Sequence, residues 1–213
     1  MLQKPIDEPV SRFYTAKHME PSEQTVATIR DRLHEAAAVT TAMTARAEDI
    51  ARGAALVAES LQRGGKLLLC GNGGSAADCQ HVAAEFVGRL TSDLTRPGLP
   101  AIALTTDTSY LTAYTNDFGF EGVFARQIET LGRAGDVLLA ISTSGASRNV
   151  LAAAETARRQ GIAVIALLGQ EGTLASLADL AIHVPSRDTQ VVQQVHLAVE
   201  HLLCHLVERA LYP

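Results

Sequence analysis

The sequence predicts an α/β fold: a parallel β-sheet flanked by helices, with long helices at the N- and C-terminal ends. Three observations predict it. Short, continuous apolar runs alternate with segments of helical period, the pattern of strands buried on both faces between crossover helices. Two of those runs end in Gly- or Ser-rich turns that lead straight into helical segments. The outer segments 22–63 and 188–211 carry apolar residues at helical spacing over a greater length than any run between them.

Residues 1–21 contain Pro5, Pro9 and Pro21 and read as an irregular arm; residues 22–213 read as one domain. Ser22 precedes an Ala-, Leu-, Val-, Glu- and Arg-rich stretch and is a candidate N-cap. That stretch forms one long helix or two and ends at Gly64-Gly65. The first strand is Lys66–Cys70, followed by the turn Gly71-Asn72-Gly73-Gly74-Ser75 and a helix over about 76–90. A polar loop holding Pro97 and Pro100 leads to a second strand, 101–104. Two shorter helical segments, 109–115 and 121–131, precede a third strand, 136–141. The turn Ser142-Thr143-Ser144-Gly145-Ala146-Ser147 then opens a helix over 148–160. Further strands are expected at 162–168 and 180–184, and a closing helix at 188–211.

The bulk composition narrows the function classes. The 213 residues are 47% hydrophobic and 19% charged, ordinary for a folded domain, with a formal net charge of −5. A nucleic-acid binder carries a basic stripe, and none is present; the adjacent pair Arg158-Arg159 sits at a helix end, where cations are favourable anyway. No apolar run approaches a membrane span, and the N-terminus has no apolar core of a secretion signal. The three cysteines, Cys70, Cys79 and Cys204, form no CxxC pair and are odd in number. A cytoplasmic, reducing location is therefore expected. The outer helices are apolar beyond one stripe: Val192, Val195, Val199, Leu202, Leu203, Leu206 and Val207 exceed what one sheet face needs, so part of that surface is expected to pack on another subunit.

In an open parallel sheet, ligands bind at the carboxyl ends of the strands. The Gly71–Ser75 turn lets backbone N–H groups converge on an anion at a helix N-terminus. The Ser142–Ser147 turn supplies four hydroxyls as neutral donors. Either turn alone is explained as a tight strand-to-helix connection; two on one sheet point to a phosphate. Gly71-x-Gly73-x-x-Ala76 also matches a dinucleotide fingerprint, but the acidic residue that motif needs is misplaced: Asp107 comes too late and Asp93 lies in a loop.

His81 and Glu85 are one helical turn apart and share a face. Such a pair binds a metal, exchanges protons, or simply decorates a solvated surface. The last helix carries Gln193, His196, Glu200, His201 and His205, any histidine of which is most simply explained as a part-buried, hydrogen-bonded side chain.

Several segments together resemble one family. They are Cys70-Gly-Asn-Gly-Gly-Ser75, His81-x-x-x-Glu85-Phe-x-Gly-Arg89, Pro100-Ala-Ile-Ala103, Asn116-Asp-Phe-Gly119, Gly135-Asp-Val-Leu138, Ser142-Thr-Ser-Gly145 and Gln193-x-x-His196-x-x-x-x-His201. In this order they resemble the phosphoheptose isomerases, enzymes of the SIS (sugar isomerase) domain class that make the heptose precursor of lipopolysaccharide. The resemblance implies interconversion of sedoheptulose 7-phosphate and glycero-manno-heptose 7-phosphate. It implies phosphate contacts from Ser75, Ser142, Thr143, Ser144 and Ser147, and sugar contacts from Asn72, Gly73, Gly74, Asn116 and Asp117. It implies a zinc ion on His81, Glu85, Gln193 and His201, with Glu85 and His201 as the acid–base pair and Gln193 also at the substrate. It implies a homotetramer with active sites at subunit interfaces. Gln194 departs from the Glu usual in the family.

The residue types suit the reaction. Ketose–aldose isomerisation moves a proton between neighbouring carbons through an enediol, with a carboxylate to carry that proton and a second group to serve the oxygens. Gln193 and His201 are eight residues apart, about 12 Å along an ideal helix, so joint ligation of one ion stretches both side chains. Two alternatives share the scaffold: a non-catalytic binding module of the kind that associates with a replication initiator, and an isomerase for a related ketose phosphate.

Overall fold

The computed structural model describes residues 21–213. The arm expected at the N-terminus falls, up to residue 20, outside the described residues. The described residues fall into two units, 21–35 and 36–213, with the boundary inside the first helix. In the first unit the described chain is helical from Glu23, and Ser22 caps it by accepting from Thr25 N at 3.1 Å.

The elements are α1 (Glu23–Ala42), a 3₁₀ turn (Met43–Arg46), α2 (Ala47–Gln62), β1 (Leu67–Cys70), α3 (Gly74–Val87), β2 (Ala101–Ala103) and α4 (Thr108–Phe118). A 3₁₀ turn (Phe120–Gly122) leads into α5 (Val123–Leu131), β3 (Val137–Ser142), α6 (Arg148–Arg159) and β4 (Ala163–Leu168). A last 3₁₀ turn (Thr173–Leu177), β5 (Leu180–His183) and α7 (Thr189–Leu211) complete the chain. The five strands form one parallel sheet in the order β2-β1-β3-β4-β5, with Leu67 level with both Ala101 and Val137. The expected α/β class holds. The expected 22–63 helix is two, split at Met43–Arg46.

Local sequence sets the element ends. α2 stops where Gly64 takes φ +82°, and the N–H groups of Gly64 and Gly65 turn back to the carbonyls of Leu61 and Ser60 at 3.1 and 2.9 Å. This is the two-bond glycine cap that satisfies the last helical carbonyls. α7 begins at Asp188, whose carboxylate accepts from Gln190 N and Val191 N. α3 begins two residues earlier than the sequence suggested, at Gly74.

Strand side chains alternate between two cores. Leu67, Leu69, Val137, Leu139, Ile141, Ile165 and Leu167 face one core with α2, α3 and α7; Leu68, Cys70, Leu138, Ala140, Val164, Ala166 and Leu168 face the other with α5 and α6. The result is three layers, with the sheet buried on both sides. At the amino end of the sheet, Asp136 is 2% exposed and its carboxylate accepts from Lys66 N, Lys66 Nζ and Arg133 N.

α7 carries two buried polar side chains without hydrogen-bond partners, His196 and Glu200. His196 is fully buried, and its ring lies near the Leu168 backbone without forming a hydrogen bond. Burial pushes its pKa down to about 4, so it stays neutral in the fold. The unfolded chain then binds more protons than the native chain between about pH 6.5 and 4, and stability falls as pH falls through that window. Urea unfolding at pH 6.5 and pH 5 is expected to show a loss of roughly 2 kcal/mol from this group in the wild type and not in His196→Leu. Equal losses in both proteins would place the acid sensitivity elsewhere.

Candidate active site

β1 and β3 are neighbours, and the chain leaves them toward opposite edges of the sheet, so a crevice opens between their carboxyl ends. Both Gly/Ser turns stand there. Gly73 takes φ +57°, a conformation disfavoured for residues with a Cβ, and sends the chain abruptly into α3. Ser75 thereby falls in the first turn of α3, 3% exposed. β3 ends at Ser142, and Gly145 N turns back to Ser142 O at 3.1 Å. Ser147 occupies the N-cap of α6 but its hydroxyl makes no cap; it lies 3.2 Å from the Ser142 hydroxyl. Uncapped first-turn N–H groups at α3 and α6 are left for an anion.

The cleft has a volume of about 270 Å³. Asn72, Gly73, Gly74, Ser75, Ser142, Thr143 and Ser147 line it, all of them expected there, together with Thr189 and Gln193 of α7. It sits near the lower bound for small-molecule pockets, enough for a phosphate and part of its substituent. Gln193 lies directly over Gly74: a Cβ at that glycine would stand 2.1 Å from Gln193 Nε2. A reciprocal amide pair ties the two turns together. Asn72 Nδ2 donates to Asn149 Oδ1 at 2.9 Å, and Asn149 Nδ2 donates to Asn72 Oδ1 at 2.8 Å.

The titratable groups meet where α3 crosses α7. His81 Nε2 lies 3.0 Å from Glu85 Oε1, His201 Nε2 lies 3.3 Å from the same oxygen, and the two imidazole nitrogens are 3.0 Å apart. One donor atom from each of the three residues falls within 4.8 Å of the others. The Glu85 side chain is 12% exposed, and its second oxygen, Oε2, is buried without a partner. An orphaned carboxylate oxygen beside two half-exposed imidazoles is the donor set of a metal site or of a proton-transfer site.

Behind this trio lies a second set to which the sequence assigned no role. Glu200 is fully buried with neither oxygen bonded; burial, then the nearby Asp78 and Glu85 charges, push its pKa up to about 8. It is a neutral acid at pH 7 and adds no charge beside Glu85. Burial also raises Asp78, and raises the Cys204 thiol beside Glu85. The described cysteines are all buried free thiols, with no reactive character.

Three expected residues stand apart from the cleft lining. Ser144 is exposed and its hydroxyl accepts from Ala146 N at 3.3 Å. Asn116 and Asp117, at the end of α4, are exposed and bonded to each other at 2.8 Å. Their neighbours Phe118–Glu121 line an open groove that shares Asn72 and Ser147 with the cleft. Gln193 belongs to the cleft; no spacing links it to the His81–Glu85–His201 trio. Thr189 and Asn149 were missed. The helical pattern located the start of α7 but not the direction it faces, and nothing local marks Asn149.

Comparison with known proteins agrees with the fold and the motifs. A SIS domain family model matches residues 33–169. A phosphoheptose isomerase of Solidesulfovibrio magneticus is 50% identical over 192 residues, covering 90% of this chain and 93% of the relative. One from Roseiflexus is 57% identical over 157 residues, 73% of this chain and 79% of that one. The solved structure of the Neisseria gonorrhoeae phosphoheptose isomerase superposes with a TM-score of 0.81 at 40% identity, over 86% of this chain and 98% of that one. The anion cleft at the β1–β3 crevice, the His/Glu trio and this likeness along most of the chain have one reading: the chain belongs to the phosphoheptose isomerase family of SIS-domain proteins.

Proposed function

We infer that the chain is a ketose–aldose isomerase interconverting sedoheptulose 7-phosphate and D-glycero-D-manno-heptose 7-phosphate, for the heptose precursor of lipopolysaccharide. One observation carries the reading. Glu85 holds one oxygen between two imidazoles and leaves the other unpaired, on the helix whose N-terminus opens onto the anion cleft. A non-catalytic binding module has no use for such a carboxylate, so that alternative is not favoured.

The proposed mechanism assigns each group a task. The phosphate is held by the hydroxyls of Ser75, Ser142, Thr143 and Ser147 and by the first-turn N–H groups of α3 and α6, in an uncharged cradle that releases product readily. Asn72, Gly73, Gly74 and Gln193 orient the sugar. Ser144, Asn116 and Asp117 complete the contacts in the assembled subunits. Glu85 removes a proton from C1 of the ketose, giving the enediol, and returns it to C2. His201 moves the second proton between the C1 and C2 oxygens.

His81, Glu85, Gln193 and His201 are the proposed holders of one zinc ion per subunit. The mutual approach of the first, second and fourth supports this, as does the orphaned Oε2; Gln193 enters through resemblance alone. When bound, the ion polarises the substrate carbonyl.

We place residues 22–213 in the SIS domain and the enzyme in the cytoplasm, in keeping with its buried free thiols. Among the described residues no helix is long and apolar enough to cross a membrane. A homotetramer is proposed, supported by the apolar groove that Met43, Ile50, Val195, Val199, Leu202 and Leu206 form between the start of α2 and α7, with Leu202 48% exposed.

An aldose–ketose conversion assay tests the base directly. Glu85→Gln is expected to lower kcat about a thousandfold, with KM and the unfolding midpoint nearly unchanged; full activity in that variant would remove the assignment. Native mass spectrometry of the purified protein is expected to show four chains carrying four zinc ions. A metal-free monomer with full activity would overturn both the metal and the assembly.

A further inference from the structure

We propose that Arg96 is a positioning residue for the isomerisation: it fixes the backbone that carries Glu85 and locks α3 against α7. The inference rests on the assignment of Glu85 as the base.

Glu85 occupies the last turn of α3, which ends at Val87. Helix ends fray, because their final carbonyls lack intrahelical partners. A base that must meet a carbon atom within a fraction of an ångström is badly placed there unless something else holds the turn. Arg96 holds it. Its Nη2 donates to the carbonyl of Glu85 itself at 2.8 Å, and its Nη1 to the carbonyls of Phe86 at 2.8 Å and Pro97 at 3.0 Å. The cation also sits at the end of the helix where its charge is favoured. The same segment closes over the turn again: Leu99 N donates to Phe86 O at 2.9 Å, and Gly98 passes so close that a Cβ would stand 2.7 Å from Val87 O.

The other side of the guanidinium faces α7. Its Nε donates to Glu208 Oε1 at 2.7 Å, its Nη2 also bonds that oxygen, and Leu90 N reaches it at 3.1 Å. Side-chain exposure is 1% for Arg96 and 3% for Glu208. A buried ion pair is a poor source of stability, since apolar residues of similar volume often serve as well or better. What this one adds is geometry. Glu208 lies on the same helix as His201, so a single planar fork connects the helix of the base to the helix of its imidazole partner. Lysine has a point charge and no fork, and cannot make these bonds together.

The phosphate cradle stands at the other end of α3, so losing the fork is expected to impair the chemical step and spare binding. In the conversion assay, Arg96→Lys is expected to lower kcat ten- to a hundredfold, with KM changed less than twofold. The double variant Arg96→Met/Glu208→Leu removes both charges without leaving either buried alone, and is expected to fold and to show the same split. A kcat within threefold of wild type in both folded variants, or a KM that moves as far as kcat, would overturn the proposal and leave the pair a packing feature. Glu85→Gln is assayed alongside. If it is inactive while the Arg96 variants are unimpaired, only the positioning role fails; if it is fully active, the reading of Glu85 fails first.

Discussion

Strand order decides where this molecule can act. With β1 flanked by β2 on one side and β3 on the other, the connections leaving β1 and β3 diverge, and nothing fills the space between their carboxyl ends. Into that space the sequence puts two turns rich in glycine and hydroxyl side chains, with no charged residue in either. The amide pair Asn72–Asn149 spans them and holds the two halves of the cradle at one separation. Two helices without side-chain caps, α3 and α6, begin at its rim, so the local potential favours an anion, and no lysine or arginine is among the described residues that line it.

The anion cleft and the His/Glu trio stand at opposite ends of α3. The helix starts at the cradle with Gly74 and ends with Glu85 in its last turn, where α7 crosses and brings His201 alongside. The contact between α3 and α7 is accordingly polar on its exposed side, through His81, Glu85 and His201. It is apolar within, where Val82 and Phe86 share a core with Val199 and Leu203. The buried Arg96–Glu208 fork closes its far end. Burial pushes the Glu200 carboxyl beneath the trio toward its neutral form.

Much of this was legible in the sequence because it is local. Apolar runs gave the strands, the two turns announced themselves by composition, and the one-turn spacing of His81 and Glu85 placed them on one face. The missing parts are pairings between distant segments: 120 residues separate His81 from His201, 112 separate Arg96 from Glu208, and 77 separate Asn72 from Asn149. No periodicity encodes such contacts; they follow from strand order and helix crossing. His196 was expected to be part-buried and hydrogen-bonded, yet it is fully buried and both ring nitrogens lack partners. The early start of α3 follows from the backbone of Gly73, which a count of glycines does not reveal.

The central claim is spatial: a sugar phosphate anchored between the β1 and β3 turns has its reacting carbons at Glu85. A crystal structure of the Glu85→Gln protein with sedoheptulose 7-phosphate tests it most directly. The account predicts phosphate oxygens on Ser75, Ser142, Thr143 and Ser147, and C1 and C2 about 3–3.5 Å from the residue-85 side chain. A phosphate seated elsewhere, or reacting carbons turned away from residue 85 in every subunit of the assembly, would contradict it.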